Sequence, residues 1–245
     1  MSDGGEALAP VLHFAPHPDD ELLGAPATLM ALRDAGARIV NVACSLGRPA
    51  ERDVRERELE HACRLAGFEL VIPQEPVPIS STEGDPHAER RLVQLVRAQI
   101  EERRPQIVVS PSPHDRHPGH ELVGRAVREV LGEGTSVTRW WTWALWASLP
   151  QPTLATGFDR ERLEEILRAL AAHESQLRRN DYRRLLTGRA EMNAVLAPEL
   201  LFGFGSGEPG EGEYAELLSE VSPAGGWRAG KVRWLDPARA LELDE

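Results

Sequence analysis

The stretch Val11-Leu12-His13-Phe14-Ala15-Pro16-His17-Pro18-Asp19-Asp20-Glu21 decides how this chain is read. Five mostly apolar residues, Val11–Ala15, form a strand, and the chain then breaks at two prolines flanking a histidine. A helical segment begins near Pro26, which suits a first helical turn, and closes at Gly36. Strand, polar loop, helix is the building unit of a parallel sheet, and the chain goes on repeating it. Arg38–Ala43 reads as a second strand, Ala50–Ala66 as a charged amphipathic helix ended by Gly67, and Glu69–Ile72 as a short third strand. After a Pro-rich connection come a helix from about Ala88 to Arg104 and a fourth strand, Gln106–Ser110. The loop Pro111–Gly119 leads to a helix near His120–Leu131 and to a fifth strand or strand pair over Val137–Trp146. This alternation predicts an α/β fold: a Rossmann-like, doubly wound, mostly parallel sheet of order 3-2-1-4-5 with helices on both faces. Beyond Gly157 the pattern turns mainly helical, with a Gly/Pro/Glu-rich loop at Gly203–Glu213 that reads as a flexible loop, a lid near the site. The expectation is a single domain over 1–245, with its core at about 11–176 and a helical C-terminal tail and loop over 177–245.

Composition narrows the function classes. Of 245 residues, 28 are Lys or Arg and 39 are Asp or Glu, a net charge of -11. A surface of that sign repels phosphate backbones and anionic lipid, which argues against nucleic-acid partners. Mean hydropathy is -0.36 and no apolar run reaches transmembrane length, so no membrane span is expected. The start, Met1-Ser2-Asp3-Gly4-Gly5-Glu6, has neither a basic region nor an apolar stretch, so no signal peptide is read there. Two cysteines, Cys44 and Cys63, form no disulfide framework. A reducing cytoplasm is the default expectation, and assembly into a homo-oligomer is compatible with it.

His17, Asp19, Asp20 and Glu21 fall within five residues. The helix dipole offers such carboxylates only about 0.3–1 kcal/mol each, too little to explain the crowding without a cation. His17 and Asp20 are three apart, so one turn aims both at one point, while Asp19 projects elsewhere. That suits one carboxylate as ligand and its neighbour as proton acceptor, without fixing which is which. The loop after the fourth strand, His114-Asp115-Arg116-His117-Pro118-Gly119-His120, offers a third ligand and a further imidazole. In a 3-2-1-4-5 sheet these two loops leave neighbouring strands at the switch point, where ligands bind. Two imidazoles and one carboxylate around a divalent ion form an open catalytic zinc sphere. Zinc lowers the pKa of its water to about 7, supplying hydroxide for attack on an amide or ester. A nearby carboxylate takes the proton and a charged or donor group stabilises the oxyanion. Fe2+ can occupy similar N/O donor sets.

Ala15-Pro16-His17-Pro18-Asp19-Asp20-Glu21 also resembles the His-Pro-Asp-Asp-Glu signature of the LmbE-like, or PIG-L, zinc-dependent N-acetylglucosaminyl deacetylases. His117-Pro118-Gly119-His120 is similar to their second motif, His-Pro-Asp-His. Arg55 and Glu58 fit an Arg-x-x-Glu, and Ala172-His173-Glu174-Ser175-Gln176 resembles an Ala-His-x-Ser-Gln segment, so the likeness runs from about Val11 to Gln176. The resemblance implies that His17, Asp20 and His120 ligate zinc and that Asp19 is the general base. It makes His117 a protonated imidazole that stabilises the oxyanion or protonates the leaving amine. Arg55 would position substrate or brace the metal loop. Where the family has an aspartate before the last histidine, this chain has Gly119, and Asp115 is expected to keep His117 charged instead. The implied function is removal of an N-acetyl group from an amino sugar by attack of metal-bound hydroxide. One alternative is an amidase acting on a non-acetyl conjugate, such as a thiol-sugar or an acylated natural product. Another, of a different class, is a non-catalytic ligand- or metal-binding protein. No Gly-x-Gly-x-x-Gly follows the first strand, which disfavours a dinucleotide enzyme.

Other conspicuous residues have plainer readings. His13 is a packed or hydrogen-bonded core residue, His61 and His87 lie on surface, and His114 is solvated. His173 is expected to make a structural hydrogen bond. Trp141 and Trp143 fall on one face of a strand, with Trp140 and Trp146 opposite, and most of them serve core packing. The charges of Glu51–Glu60 form a solvated helix face. Both cysteines are inert packing residues.

Overall fold

β1 (Val11–Ala15) is buried along its whole length because it lies between two parallel neighbours, with helices over both faces. Those neighbours are β2 (Ile39–Ala43) and β4 (Ile107–Pro111); β3 (Glu69–Val71) pairs with β2, and β5 (Arg139–Trp143) with β4. The computed structural model describes residues 9–79, 86–223 and 226–242. The stretch Met1–Glu6 and part of the Pro-rich connection after Ile72 lie outside them. The parallel strands run in the order 3-2-1-4-5, as the alternation predicts. Register places His13 beside Asn41 on one side and Val109 on the other.

Helices α2 (Pro26–Asp34) and α3 (Arg52–Ala66) cover one face of this sheet, and α4 (Pro86–Arg103) and α5 (Pro118–Gly132) cover the other. A four-residue helix, α1 (Asp20–Leu23), stands between β1 and α2. The faces define two cores. One joins Leu29, Met30, Leu59, Trp141 and Trp143; the other joins Leu12, Phe14, Leu92, Val127 and Trp140. Trp140 and Trp141 thus point to opposite faces, and Trp143 rejoins Trp141, as strand alternation requires. Cys44 and Cys63 are buried and free.

Past β5 the expected helical extension is present, with strands added to it. Helices α6 (Arg160–Leu170), α7 (Glu174–Arg179) and α8 (Tyr182–Phe202) are present, and a short α9 (Pro237–Leu241) follows. Strands lie among them: β6 (Leu154–Phe158), the nine-residue β7 (Tyr214–Ser222), and the two-residue β8 (Arg228–Ala229) and β9 (Arg233–Trp234). β7 runs antiparallel to both β5 and β6 and extends the sheet to β3-β2-β1-β4-β5-β7-β6-β9. Its pattern hid it, because the inward face of Tyr214, Glu216, Leu218 and Glu220 carries two carboxylates. Glu216 accepts the N–H groups of Ala27 (2.7 Å) and Thr28 (2.8 Å) at the start of α2. Glu220 accepts the indole N–H of Trp141 (2.6 Å) and pairs with Arg233 (2.7 Å). The Gly203–Glu213 loop, read as a lid, packs on Pro198, Gly157 and the Trp234 ring.

No helix among the described residues is long and apolar enough to cross a membrane.

Candidate metal centre

Both histidine-bearing loops leave the carboxyl ends of β1 and β4, which are adjacent in the sheet, so the topology brings them together. His17 and Asp20 come from the turn after β1. Pro118 opens α5, with His117 just before it and His120 in its first turn. Ring centroids of His117 and His120 are 4.5 Å apart, those of His17 and His117 5.0 Å, and those of His17 and His120 5.4 Å. One nitrogen from each of the three lies within 4.8 Å of the others, a grouping that fits a metal ion. Asp20 Oδ2 lies 3.1 Å from His17 Nδ1 and 3.3 Å from His120 Nε2. In a tetrahedron with arms of 2.0–2.1 Å, donors stand about 3.3 Å apart, so the two distances from Asp20 already match a zinc-type sphere. His117 Nδ1 is buried and has no partner. The donor set therefore fits a divalent cation, with the His117 imidazole standing beside the expected His17, Asp20 and His120.

Electrostatics support the grouping. Burial alone would raise the Asp20 carboxyl, but His120 and His17 outweigh it and hold it well below the ordinary range. His120 is pushed up to about 9 because Asp20 and Asp115 overcome its burial. A pocket that favours positive charge between two carboxylates also favours a cation there, with release of the proton. His117 behaves otherwise: burial, then the imidazoles of His120 and His17, push it down to about 4. That fall works against the standing charge expected of His117. The carboxylate meant to sustain it faces elsewhere, since Asp115 Oδ2 lies 2.6 Å from His120 Nδ1 and Oδ1 accepts the N–H groups of Leu145 and Trp146.

Asp19 is buried, and its φ of 112° is left-handed, a conformation that costs a non-glycine residue about 1–3 kcal/mol. Three groups hold it. Glu21 accepts the Asp19 N–H (3.0 Å), and His173, fully buried, lies 2.5 Å from the other Glu21 oxygen. From α3, Arg55 donates to the Pro18 carbonyl (2.5 Å) and stands 3.7 Å from Asp19 Oδ1. Gly47, at φ 78°, leaves room for that guanidinium, because a Cβ there would come within 2.5 Å of Arg55 Nη1. Arg55 therefore braces the turn after β1, and it lies buried on a helix face read as solvated. Burial and the charge of Asp20 raise Asp19 to about 7. Gly119 lies against His17, and a Cβ there would stand 2.9 Å from His17 Cε1 and 2.5 Å from Ile79 Cγ2.

Glu21 is the site residue that sequence reasoning left without a role; its partner lies 152 positions away. His173 makes the structural hydrogen bond expected of it. His13 shares a 2.8 Å hydrogen bond with Asn41 and accepts from the Trp143 indole, and His114 is exposed.

Residues 12–131 match the family model described as "PIG-L: GlcNAc-PI de-N-acetylase". That segment is a PIG-L domain. No match was found among curated proteins. Among solved structures, N,N'-diacetylchitobiose deacetylase from Pyrococcus horikoshii is 19% identical, covering 88% of this chain and 85% of its own, with a TM-score of 0.57. The zinc-inhibited form of teicoplanin deacetylase Orf2 is 18% identical, with coverages of 88% and 99% and a TM-score of 0.62. A 4-carboxy-2-hydroxymuconate hydratase from Pseudomonas putida KT2440 is 16% identical, with coverages of 86% and 95% and a TM-score of 0.63. A hydratase among these neighbours means that the PIG-L fold by itself does not choose the reaction; the site must.

Proposed function

We propose that this protein is a metal-dependent amide hydrolase that removes an N-acetyl group from an amino sugar. The observation that carries the reading is the convergence of His17, Asp20 and His120 at ligand spacing beside a buried Asp19. The PIG-L match and the two deacetylases among the solved relatives point the same way. His17, Asp20 and His120 hold the ion, Zn2+ or Fe2+. Such a cation acts as a Lewis acid on the amide carbonyl and makes water acidic enough to deprotonate near neutral pH.

The protein's own groups do the rest. Asp19, raised to about 7, takes a proton from the attacking water and returns it to the leaving nitrogen. The new C–O bond forms as the C–N bond breaks, yielding acetate and a free amine. His117 acts as a neutral imidazole whose remaining N–H donates to the oxygen that gathers negative charge. Arg55 and Glu21 position Asp19, and Asp115 orients His120.

Acetate release from N-acetylglucosamine, N,N'-diacetylchitobiose and an acylated glycopeptide tests the reading. Activity is expected to vanish on chelation and to return with one equivalent of Zn2+ or Fe2+; both are used because one relative has a zinc-inhibited form. His17→Ala and His120→Ala are expected to lose bound metal on elemental analysis. Chelation without effect on an active preparation would remove the metal from the mechanism.

A further inference from the structure

Tryptophans and imidazoles crowd this end of the sheet, and one of the tryptophans is exposed. Trp140, Trp141 and Trp143 are buried, whereas Trp146 is 44% exposed. Its ring lies 6.2 Å from that of His117 at 30°, nearly parallel, so His120, His117 and Trp146 form a row leading outward from the metal donors. Trp146 sits beyond the end of β5, yet its backbone is tied down. Asp115, fully buried, accepts the N–H groups of Leu145 (2.6 Å), Trp146 (2.8 Å) and Ala147 (3.3 Å) on one oxygen. Its other oxygen holds His120. Arg189 of α8 donates to the carbonyls of Ala144 and Leu145. One carboxylate therefore fixes both a metal donor and an exposed aromatic face.

We infer that Trp146 is the platform on which the pyranose ring of the substrate stacks, held in register with the metal donors through Asp115. This rests on the deacetylase reading and names the substrate group that reading leaves undefined. A pyranose presents an apolar C–H face with hydroxyls at its edge. A partly exposed indole on a fixed backbone, packed on His117, gives such a face an apolar contact with few torsions to order. In a 2-acetamido sugar the ring is two bonds from the scissile carbonyl carbon. A sugar on Trp146 thus brings its amide inward past His117, toward the donors. The exposed His114 and Arg116 of the same loop leave the rim polar.

The test compares Trp146→Ala and Trp146→Phe with wild-type protein, all loaded with metal. Methyl N-acetylglucosaminide and the acyclic N-acetylethanolamine serve as substrates, and free glucosamine is titrated by calorimetry. For Trp146→Ala, KM for the sugar is expected to rise about 5- to 10-fold with kcat nearly kept, and kcat/KM to fall several-fold more for the sugar than for the acyclic amide. Glucosamine binding should weaken in parallel, and Trp146→Phe should recover most of both. Equal losses on both substrates, or an unaltered KM for the sugar, would overturn the platform. Wild-type protein that hydrolyses neither amide yet binds glucosamine through Trp146 would defeat the deacetylase reading and leave the platform standing. Loss of Trp146 without effect on glucosamine binding would defeat the platform alone.

Discussion

The two loops that build the site hold their donors in opposite ways. The loop after β1 carries His17 and Asp20 on a strained turn: Asp19 is left-handed, and the turn is kept by groups reaching in from α3 and from the start of α7. The loop after β4 carries His117 and His120 at a proline-started helix; its own left-handed residue, Arg116 (φ 63°), lies in the ordinary left-handed well, and its order comes from Asp115, five residues before the histidine it orients. The first loop is therefore only as good as its distant partners. The second is mostly a local construction that also reaches one neighbouring segment.

The largest effect should come from the strained loop. Asp19→Ala is expected to lower kcat by about 10^3-fold while retaining metal, measured as acetate release alongside elemental analysis. Substantial turnover in that folded variant would mean the strain serves something other than proton transfer. Next comes its clamp. Glu21→Ala leaves buried His173 without its partner, at a cost of about 3–5 kcal/mol and a Tm lower by roughly 10 °C. Calorimetry that finds Tm within a degree of wild type would erase the contrast between the loops. Asp115→Asn should weaken metal binding about 10- to 100-fold, with a smaller change in Tm, by competition against a chelator. Gly119→Asp installs the residue of the resembled motif, yet its Cβ would press on His17 and Ile79. The expectation is weaker metal binding, not stronger, and a cost of about 1–3 kcal/mol.

The smallest effect is a control outside both loops. Burial raises Glu216 to about 7, well above the ordinary carboxyl value of 4.5. Between those two values the folded chain keeps a proton that the unfolded chain has released. Its contribution to stability is thus full at low pH and declines as pH rises toward 7. Thermal melts from pH 5 to 8 should show a decline of a few degrees that Glu216→Gln flattens.

The parallel half of the fold was legible because its strands are buried on both faces and read as short apolar runs between helices. The same rule concealed β7, where Glu216 and Glu220 occupy core-facing positions and look like solvent-facing charges. In the site, the convergence of the two histidine-bearing loops was legible from residue type, spacing and topology together, whereas the choice of Asp20 over Asp19 and of His120 came from the family resemblance. The direction of Asp115 was not, because a carboxylate two residues from one imidazole and five from another can serve either. Nor could spacing reveal that Glu21 meets His173, since nothing local joins them.

β7 also bears on what can be cut away. Glu216 satisfies the first N–H groups of α2, inside the stretch that matches the PIG-L model, and Glu220 satisfies the indole of Trp141, just beyond it. A fragment ending where that match ends would lose β5 and β7, leave the first N–H groups of α2 without their acceptor and open the β4 edge to other chains. Shortened versions made for crystallisation or display should therefore keep the chain through Ser222.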